Sequence, residues 1–243
     1  VQSFLQATAW AMKPPAPYGP FHLIFTFFGV TQASFLPEAC LKREQANRLT
    51  AVFMQPDTGA EEIYKQLFIY YIENNGSYDW WYFPFQLCSI PMYLGLGIPF
   101  ISPKLKNSFY SFIQDFGLLG GIMALAEPSG LMHLIYPHCS RFSMAFYPDL
   151  YGTYMCILQP WQKGTATLPV SYLQAIATVI NVLSHPYGNA DMFYISPYYP
   201  NDQIVFHQIS LVTGTILGNC LYLASVLLGG FIIHMICLKL KIR

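Results

Sequence analysis

Polar side chains that could do chemistry are grouped in the predicted outer half of an otherwise apolar chain. Cys88 offers a thiol, and Gln86 offers an amide two residues before it. Pro91 frees the backbone carbonyl of Leu87, because proline has no N–H to donate to it. Ionisable groups at membrane depth are costly, so they face a protein interior or a cavity. We expect five polar residues on other spans to lie at about the same depth as Gln86 and Cys88. They are His22, Glu127, Asn181, His185 and His207. The pattern predicts a polar cavity that opens to the outside.

Further polar groups lie deeper in the predicted bundle. Pro148 would kink the fifth predicted span and free the carbonyl of Met144 beside Asp149, the deepest isolated acid in the chain. The candidate substrate-binding side chains of the cavity are Gln86, Glu127, Asp149, Tyr151 and Asn181. The alternative for Cys88 is an inert role, because a thiol without a base behaves as a small buried hydrophobe.

The composition of the whole chain is that of a membrane protein. Of 243 residues, 54% are hydrophobic and only 10% are charged, against about 25% charged residues in soluble domains. The mean hydropathy is +0.36. Twelve basic and twelve acidic side chains give no net charge, which excludes the basic surface that binds nucleic acid. We therefore predict an all-α, polytopic transmembrane helical bundle with the lipid bilayer as its surroundings and no nucleic-acid partner.

Windows of low charge predict about seven membrane spans, each near the length that crosses the hydrocarbon layer. They cover residues 19–36, 59–73, 82–101, 108–126, 140–158, 166–184 and 209–236. Nine basic residues fall on one side of these spans: Lys42, Arg43, Arg48, Lys104, Lys106, Lys163, Lys239, Lys241 and Arg243. Because cytoplasmic loops collect Lys and Arg, this side is inside and the N-terminus is outside.

The same pattern predicts one domain with short flanking segments. Residues 1–18 form an interfacial N-terminal segment, residues 19–238 form a single seven-helix transmembrane domain, and residues 239–243 form a basic cytoplasmic tail. The six cysteines have no metal-finger spacing, and the histidines do not cluster with carboxylates. We therefore expect no metal and no other cofactor.

Three runs of sequence resemble the YwaF-like family of small integral membrane proteins. They are WYFPFQLCSIPMYL in the third span, FGLLGGIMALAEPSGLMHLIYP in the fourth and GNADMFYISPYYP before the last. The resemblance extends from about His22 through the final helix. The family is related to an animal lipid acyltransferase and is similar in organisation to the androgen-induced family of membrane fatty-ester hydrolases.

The resemblance implies chemistry on a membrane phospholipid or another acyl lipid, as an acyltransferase or a lipid-ester hydrolase in the plasma membrane of a bacterial cell. It implies that Cys88 is the catalytic nucleophile. The sequence departs from the family where a histidine is usual, since it has Gln86 two residues before the cysteine and no histidine in the fifth span. A thiol nucleophile needs a base, so either His22 or His185 supplies it or the activity has been lost or changed.

Two other functions fit the same residues. A small-solute or ion transporter would use Glu61, Lys65, Asp115 and Asp149 as a charge pathway towards the inside. A non-catalytic membrane protein would bind a lipid or a partner protein at a site that has lost its base.

Overall fold

Every regular element in the described part of the chain is helical. The computed structural model describes residues 1–8, 18–20, 23–24, 26–27, 31, 60, 62–87, 89–97, 100–126 and 167–241. No strand occurs within these ranges. The predicted all-α class is therefore confirmed for the residues that the structure describes.

Where the connections between helices are described, they are short, and several of them are turns tighter or wider than an α-helix. In chain order the elements are α1 (Gln2–Thr8), α2 (62–68), a π turn (Ile69–Glu73), a 3-10 turn (Trp80–Tyr82), α3 (Ile90–Gly97), α4 (Pro103–Phe112), a second π turn (Ile113–Gly117), α5 (Leu118–Ala126), α6 (Thr167–Ser184), a 3-10 turn (Met192–Tyr194), α7 (Ile204–Thr213) and α8 (Thr215–Lys241).

The predicted spans agree with these helices to different degrees. The span at 166–184 corresponds to α6, and the span at 108–126 lies within the continuous helical run from α4 to α5. The span at 59–73 corresponds to α2 and its π turn. The described residues of the first span are helical at 20, 23–24, 26–27 and 31, and Gly19 before them lies in a bend. The fifth predicted span lies outside the described residues.

The third predicted span, 82–101, contains a shorter helix than its sequence indicates. Residues 83–87 are not helical, and α3 begins only at Ile90. Pro91 therefore lies in the first turn of α3, where a missing N–H costs nothing, and it starts the helix instead of kinking one. Gln86 consequently belongs to an irregular segment before α3 and not to a helix face.

The last predicted span, 209–236, is divided into two helices at Gly214. This residue has φ +89° and ψ +154°, a conformation open to glycine but not to residues with a side chain. The chain reverses there, so that the rings of Phe206 and Tyr222 meet edge to face with centroids 5.3 Å apart. Gly218 contacts Ser210 so closely that a methyl group there would overlap it. α7 thus folds back along the first turns of α8.

α8 is the one described helix that is long and apolar enough to cross a membrane, judged by length and composition. The segment covers Thr215–Lys239, and only 11% of its most apolar window is buried. A core helix of a globular protein would be mostly buried, whereas α8 exposes a row of large apolar side chains, which includes Leu228, Phe231 and Ile232. The other predicted spans and their orientation stay predictions.

An apolar core joins α3, α4 and α6 to the loop that follows α6. Its buried members include Ile90, Phe112, Phe116, Val170, Ala177, Met192 and Phe193. Phe112 and Phe116 stack with ring centroids 5.1 Å apart, and Phe193 approaches Phe85 at 5.9 Å. The segment before α3 and the loop after α6 are therefore held against the same core.

Candidate functional site

The loop between α6 and α7 is part of the protein interior. Seven of its side chains are between 0 and 6% exposed: Ala190, Asp191, Met192, Phe193, Ile195, Ser196 and Asn201. Backbone groups buried in this way need hydrogen-bond partners. Since the loop has no regular secondary structure beyond one 3-10 turn, side chains from elsewhere supply those partners.

Two consecutive residues of this loop have a strained backbone. Phe193 and Tyr194 have φ of +59° and +56°, in the left-handed region that costs a residue with a side chain about 1–2 kcal/mol. Such conformations persist only where the surrounding structure enforces them, and they cluster at functional sites and ligand clamps. The strained backbone therefore indicates that residues 191–194 form the centre of the candidate site.

Gln86 holds this strained segment from one side. Its Nε2 donates to the carbonyl oxygen of Asp191 at 3.0 Å, and its Oε1 accepts from the N–H of Phe193 at 3.0 Å. Both ends of the amide are thus used in a paired contact with the loop backbone. Gln86, predicted to bind substrate, ties the segment before α3 to the loop.

Asn181 holds the same segment from α6. Its Nδ2 donates to the carbonyl oxygen of Met192 at 3.0 Å, and its Oδ1 accepts from the N–H of Met192 at 2.6 Å. The Asn181 side chain is fully buried. The sequence placed Gln86 and Asn181 at one depth as substrate-binding residues, and the structure brings both to the same three-residue segment with their amides engaged by backbone.

Two further asparagines complete this arrangement. Asn201 Nδ2 donates to the carbonyl oxygen of Tyr194 at 2.7 Å, and Asn219 Nδ2 donates to that of Ser196 at 2.8 Å. We call Gln86, Asn181, Asn201 and Asn219 the amide clasp. Neither Asn201 nor Asn219 is among the site residues that the sequence predicts. Asn219 is a polar residue in a long apolar helix, and such residues usually have a functional or packing role. The sequence could therefore have indicated Asn219.

Asp191 is the charged group of the clasped segment. Its side chain is 1% exposed, and Oδ1 accepts from the N–H of Ser196 at 2.7 Å. Burial raises the pKa of Asp191 from its ordinary value of 3.8 to about 6, and the charge of Asp202 acts in the same direction, while hydrogen bonds from the backbone of Ser196 and Ile195 oppose the rise. Asp191 therefore exchanges its proton close to physiological pH.

His185 lies beside the clasp, at the turn that ends α6. Its ring stacks on Tyr198 with centroids 3.6 Å apart and planes 8° from parallel, and its Nδ1 forms a 3.3 Å hydrogen bond with the hydroxyl of Tyr199. When the phenol donates, the ring carries its proton on Nε2 and offers a donor there. The other tautomer makes Nε2 an acceptor, as a general base requires.

The remaining predicted site residues cannot be placed relative to the clasp. Cys88, His22, Glu127, Asp149 and Tyr151 lie outside the described residues. The neighbours of Cys88 on both sides are described, and Ser89 donates its N–H to the carbonyl oxygen of Gln86 at 2.9 Å. The pairing of Cys88 with His22 or His185 stays a prediction.

A separate charged group lies on α2, where Glu61 and Lys65 are four residues apart, a spacing that predicts an acid and a base on one helix face. In the structure Lys65 Nζ contacts Oε2 of Glu62 at 2.7 Å. Glu61 lies outside the described residues, so its pairing with Lys65 stays a prediction. Gln66 donates to Oε1 of Glu62 at 2.8 Å and to the carbonyl oxygen of Tyr82 at 2.6 Å. The buried carboxylate of Glu62 is thus paired and hydrogen-bonded on both oxygens, as a stable buried ion pair requires.

Nothing in the described part of the chain forms a metal centre, since no three His, Cys, Asp or Glu side chains there lie close enough to hold an ion. Cys220 is an exposed thiol and Cys237 is a buried one.

No family model matches the chain, and neither a curated protein nor a solved structure is similar to it.

Proposed function

We propose that the chain is a multi-pass integral membrane protein of a bacterial plasma membrane that acts on acyl lipids through the thiol of Cys88. It would have about seven spans, with its N-terminus outside and its C-terminus inside. The reaction is acyl transfer from a lipid ester to a lysolipid, or to water, which makes the protein an acyltransferase or a lipid-ester hydrolase.

The observation that carries the proposal is the attachment of the segment before α3 to the clasped loop. Gln86 forms two hydrogen bonds with the backbone of residues 191–193, which includes the strained Phe193. Cys88 follows Gln86 by two positions in the sequence. A rigid, irregular segment stabilised by a second layer of hydrogen bonds is the kind of support that a catalytic group requires. A merely structural cysteine needs no such support.

A second feature supports activation of the thiol. Cys88 comes two residues before the first residue of α3, and the N-terminus of a helix favours negative charge.

The proposed reaction has two steps. The thiolate of Cys88 attacks the carbonyl carbon of the lipid ester, so a C–S bond forms, the ester C–O bond breaks, and the departing alkoxide takes a proton from His185 or His22. A lysolipid hydroxyl or water then gives its proton to the same base and attacks the thioester. The C–S bond breaks, the acyl chain leaves as a new ester or a fatty acid, and the thiolate is restored.

The membrane assignment is supported by the surface of α8. Large apolar side chains such as Leu228, Phe231 and Ile232 are each about half exposed, and lipid is the medium in which such a surface is stable.

The test is capture of the acyl-enzyme. Purified protein in mixed micelles is incubated with a phospholipid whose acyl chain carries an alkyne, and hydroxylamine-sensitive labelling is measured for wild type, Cys88→Ala and Cys220→Ala. Loss of labelling in Cys88→Ala alone supports the proposal, because Cys220 is an exposed thiol that controls for non-specific acylation. Equal labelling of all three proteins, or none in the wild type, would refute it. Stabilisation by lipid without any labelling would favour the non-catalytic lipid-binding function.

A further inference from the structure

Aromatic side chains are grouped at the surface on the chain before α3 and on the loop after α6, the two parts that Gln86 connects. We call Tyr78, Trp80, Trp81, Tyr187 and Tyr198 the aromatic surface. Its three tyrosines are exposed, Tyr187 by 77%, and its two tryptophans are half-buried. Tyr and Trp favour the boundary between water and hydrocarbon, because each ring is apolar and carries one hydrogen-bonding group.

Contacts between the two segments fix the tryptophans of this surface. The N–H of Trp81 donates to Oδ1 of Asn189 at 3.2 Å, and a methyl group on Gly188 would lie 2.6 Å from the indole of Trp80. The ring of Tyr78 meets that indole edge to face, with centroids 5.2 Å apart. Tyr187 directly precedes Gly188 in the chain. Each segment therefore contributes an exposed tyrosine close to Trp80.

The depth of the aromatic surface follows from the attachment of its loop to α8. Asn219 donates to the carbonyl oxygen of Ser196 at 2.8 Å, so the part of the loop that carries Tyr198 is level with Asn219. Lys239 is the first Lys or Arg of α8, and its ammonium group belongs at a boundary of the hydrocarbon layer. Asn219 precedes Lys239 by 20 residues, which is about 30 Å of helix and the thickness of that layer. The aromatic surface would therefore lie among the headgroups on the side opposite Lys239.

The charges of the two segments are those of a surface that attracts cations. Residues 74–82 and 185–203 contain neither Lys nor Arg, and their titratable groups other than tyrosine are Asp79, Asp191, Asp202 and His185. Asp202 is exposed and Asp79 is half-buried. Burial raises the pKa of Tyr78, and the negative charges of Glu62 and Asp79 raise it further. These two charges give a negative potential beside an exposed ring of the aromatic surface.

We propose that the aromatic surface binds the ammonium group of zwitterionic phospholipid headgroups, on the membrane side opposite Lys239. A cation above the face of Trp or Tyr is attracted by the quadrupole of the ring, and the nearby carboxylates strengthen that attraction. An anionic headgroup has no such cation and meets a surface with acids and no Lys or Arg. The inference rests on the proposed function only for the insertion of α8 in a bilayer, and it does not involve Cys88.

The test measures how strongly spin-labelled lipids quench the fluorescence of Trp80 and Trp81. The double variant Trp10→Phe and Trp161→Phe keeps these two tryptophans alone and is reconstituted in a mixed bilayer of phosphatidylcholine and phosphatidylglycerol. Two probes carry a nitroxide near the headgroup, one on each lipid, and a third carries it at the end of a phosphatidylcholine chain. The phosphatidylcholine probe labelled near its headgroup should quench at least about twofold more strongly than either of the others, as a cation–π contact at an exposed site predicts.

Two further variants test the rings themselves. Tyr78→Leu with Tyr187→Leu removes the exposed rings close to Trp80 and should make quenching by the two headgroup types equal. Tyr172→Leu is the matched control, because Tyr172 is an exposed tyrosine on α6 outside the aromatic surface, and it should leave the preference in place. The proposal is overturned by equal quenching by both headgroup types in the parent variant, by strongest quenching from the chain-end label, or by a preference that survives loss of both rings.

Phe231→Trp, in a chain whose other tryptophans are replaced by phenylalanine, reports the insertion of α8 by itself. Phe231 is exposed and follows Asn219 by 12 residues, about 18 Å along the helix, so the chain-end label should quench it most. Absence of quenching there would overturn the membrane assignment together with this inference. Quenching there without a headgroup preference at Trp80 and Trp81 would overturn this inference alone, and acylation of Cys88 is measured independently of both.

Discussion

Replacing Asp191 with asparagine should stabilise the protein, although the carboxylate accepts a 2.7 Å hydrogen bond from Ser196. Asparagine keeps an oxygen for this bond and removes a buried charge. The folded protein raises the pKa of Asp191 from 3.8 to about 6, with burial as the largest cause. At about 1.36 kcal/mol per pKa unit, the charged form costs about 3 kcal/mol of folding free energy above pH 6, and we expect the variant to recover about 2–3 kcal/mol of it.

The sign of the pH dependence follows from proton linkage. Because the folded state binds the proton more tightly than the unfolded chain, this group stabilises the fold most below about pH 4. Its contribution falls as the pH rises from 3.8 to about 6 and stays at its lowest value above that. Thermal unfolding in detergent micelles at pH 4 and pH 7.5 measures the effect. The Tm of Asp191→Asn should exceed that of the wild type at pH 7.5 by about 4–12 °C, and the difference should vanish near pH 4.

Asp202→Asn provides the control, because it makes the same chemical change at an exposed neighbour. It removes only the smaller charge effect on Asp191, so its Tm should stay within about 2 °C of the wild type. If Asp191→Asn lowers the Tm at pH 7.5, or if its effect is the same at both pH values, then burial of the charge does not govern the clasped loop.

Two other changes test the packing that positions the sites. Asn181→Ala leaves the buried N–H and carbonyl of Met192 without partners and should cost about 2–5 kcal/mol of stability in chemical unfolding, whereas Thr178→Ala on an exposed position of the same helix should cost less than about 1 kcal/mol. Gly230→Ala places a methyl 2.7 Å from the Phe116 ring and should lower stability by about 1–3 kcal/mol. Gly120→Ala meets nothing within 4 Å and should be neutral or stabilising, so equal losses in both glycine variants would contradict the close helix contact.

The helical class and the position of α6 follow from the sequence because long apolar runs have few alternatives. The predicted span at 166–184 and the observed Thr167–Ser184 differ by one residue at the start. Composition does not predict the fold where a single residue changes the direction of the chain. Nothing in the hydropathy of residues 209–236 distinguishes a straight helix from a hairpin, and Gly214 is one of 17 glycines in the chain.

For the candidate site, too, the sequence predicts some features and not others. The sequence indicates that Gln86 and Asn181 share a depth, because each is polar in an apolar context. It does not indicate that both amides hold the backbone of residues 191–193, since that depends on the left-handed conformations of Phe193 and Tyr194. Asp115 and His234 are 119 residues apart in the chain, and the π turn that directs Asp115 towards α8 has no sequence pattern of its own.

α8 carries Asn219 of the amide clasp and His234, which contacts Asp115, on one stripe. The sequence alone could have indicated that stripe. Asn219, Tyr222, Val226, Gly230 and His234 recur at intervals of three or four residues, as one face of a helix requires. All five are buried or half-buried, while Leu228 and Phe231 between them are exposed. In a helix that is apolar on every side, the inward face is the one with small and polar residues, because lipid tolerates apolar groups but not amides or imidazoles.

The spacing along this stripe separates the two clusters. Asn219 and His234 are 15 residues apart on a continuous helix, which corresponds to about 22 Å at 1.5 Å per residue. A hydrocarbon layer is about 30 Å thick, so the amide clasp and the contact between Asp115 and His234 would lie in opposite halves of the bilayer. Phe116 joins them, because it follows Asp115 directly, contacts Gly230, and belongs to the same core cluster as Met192 and Phe193. Because Phe116 packs against both, we expect Gly230→Ala, which displaces the Phe116 ring, to disturb the packing of both clusters.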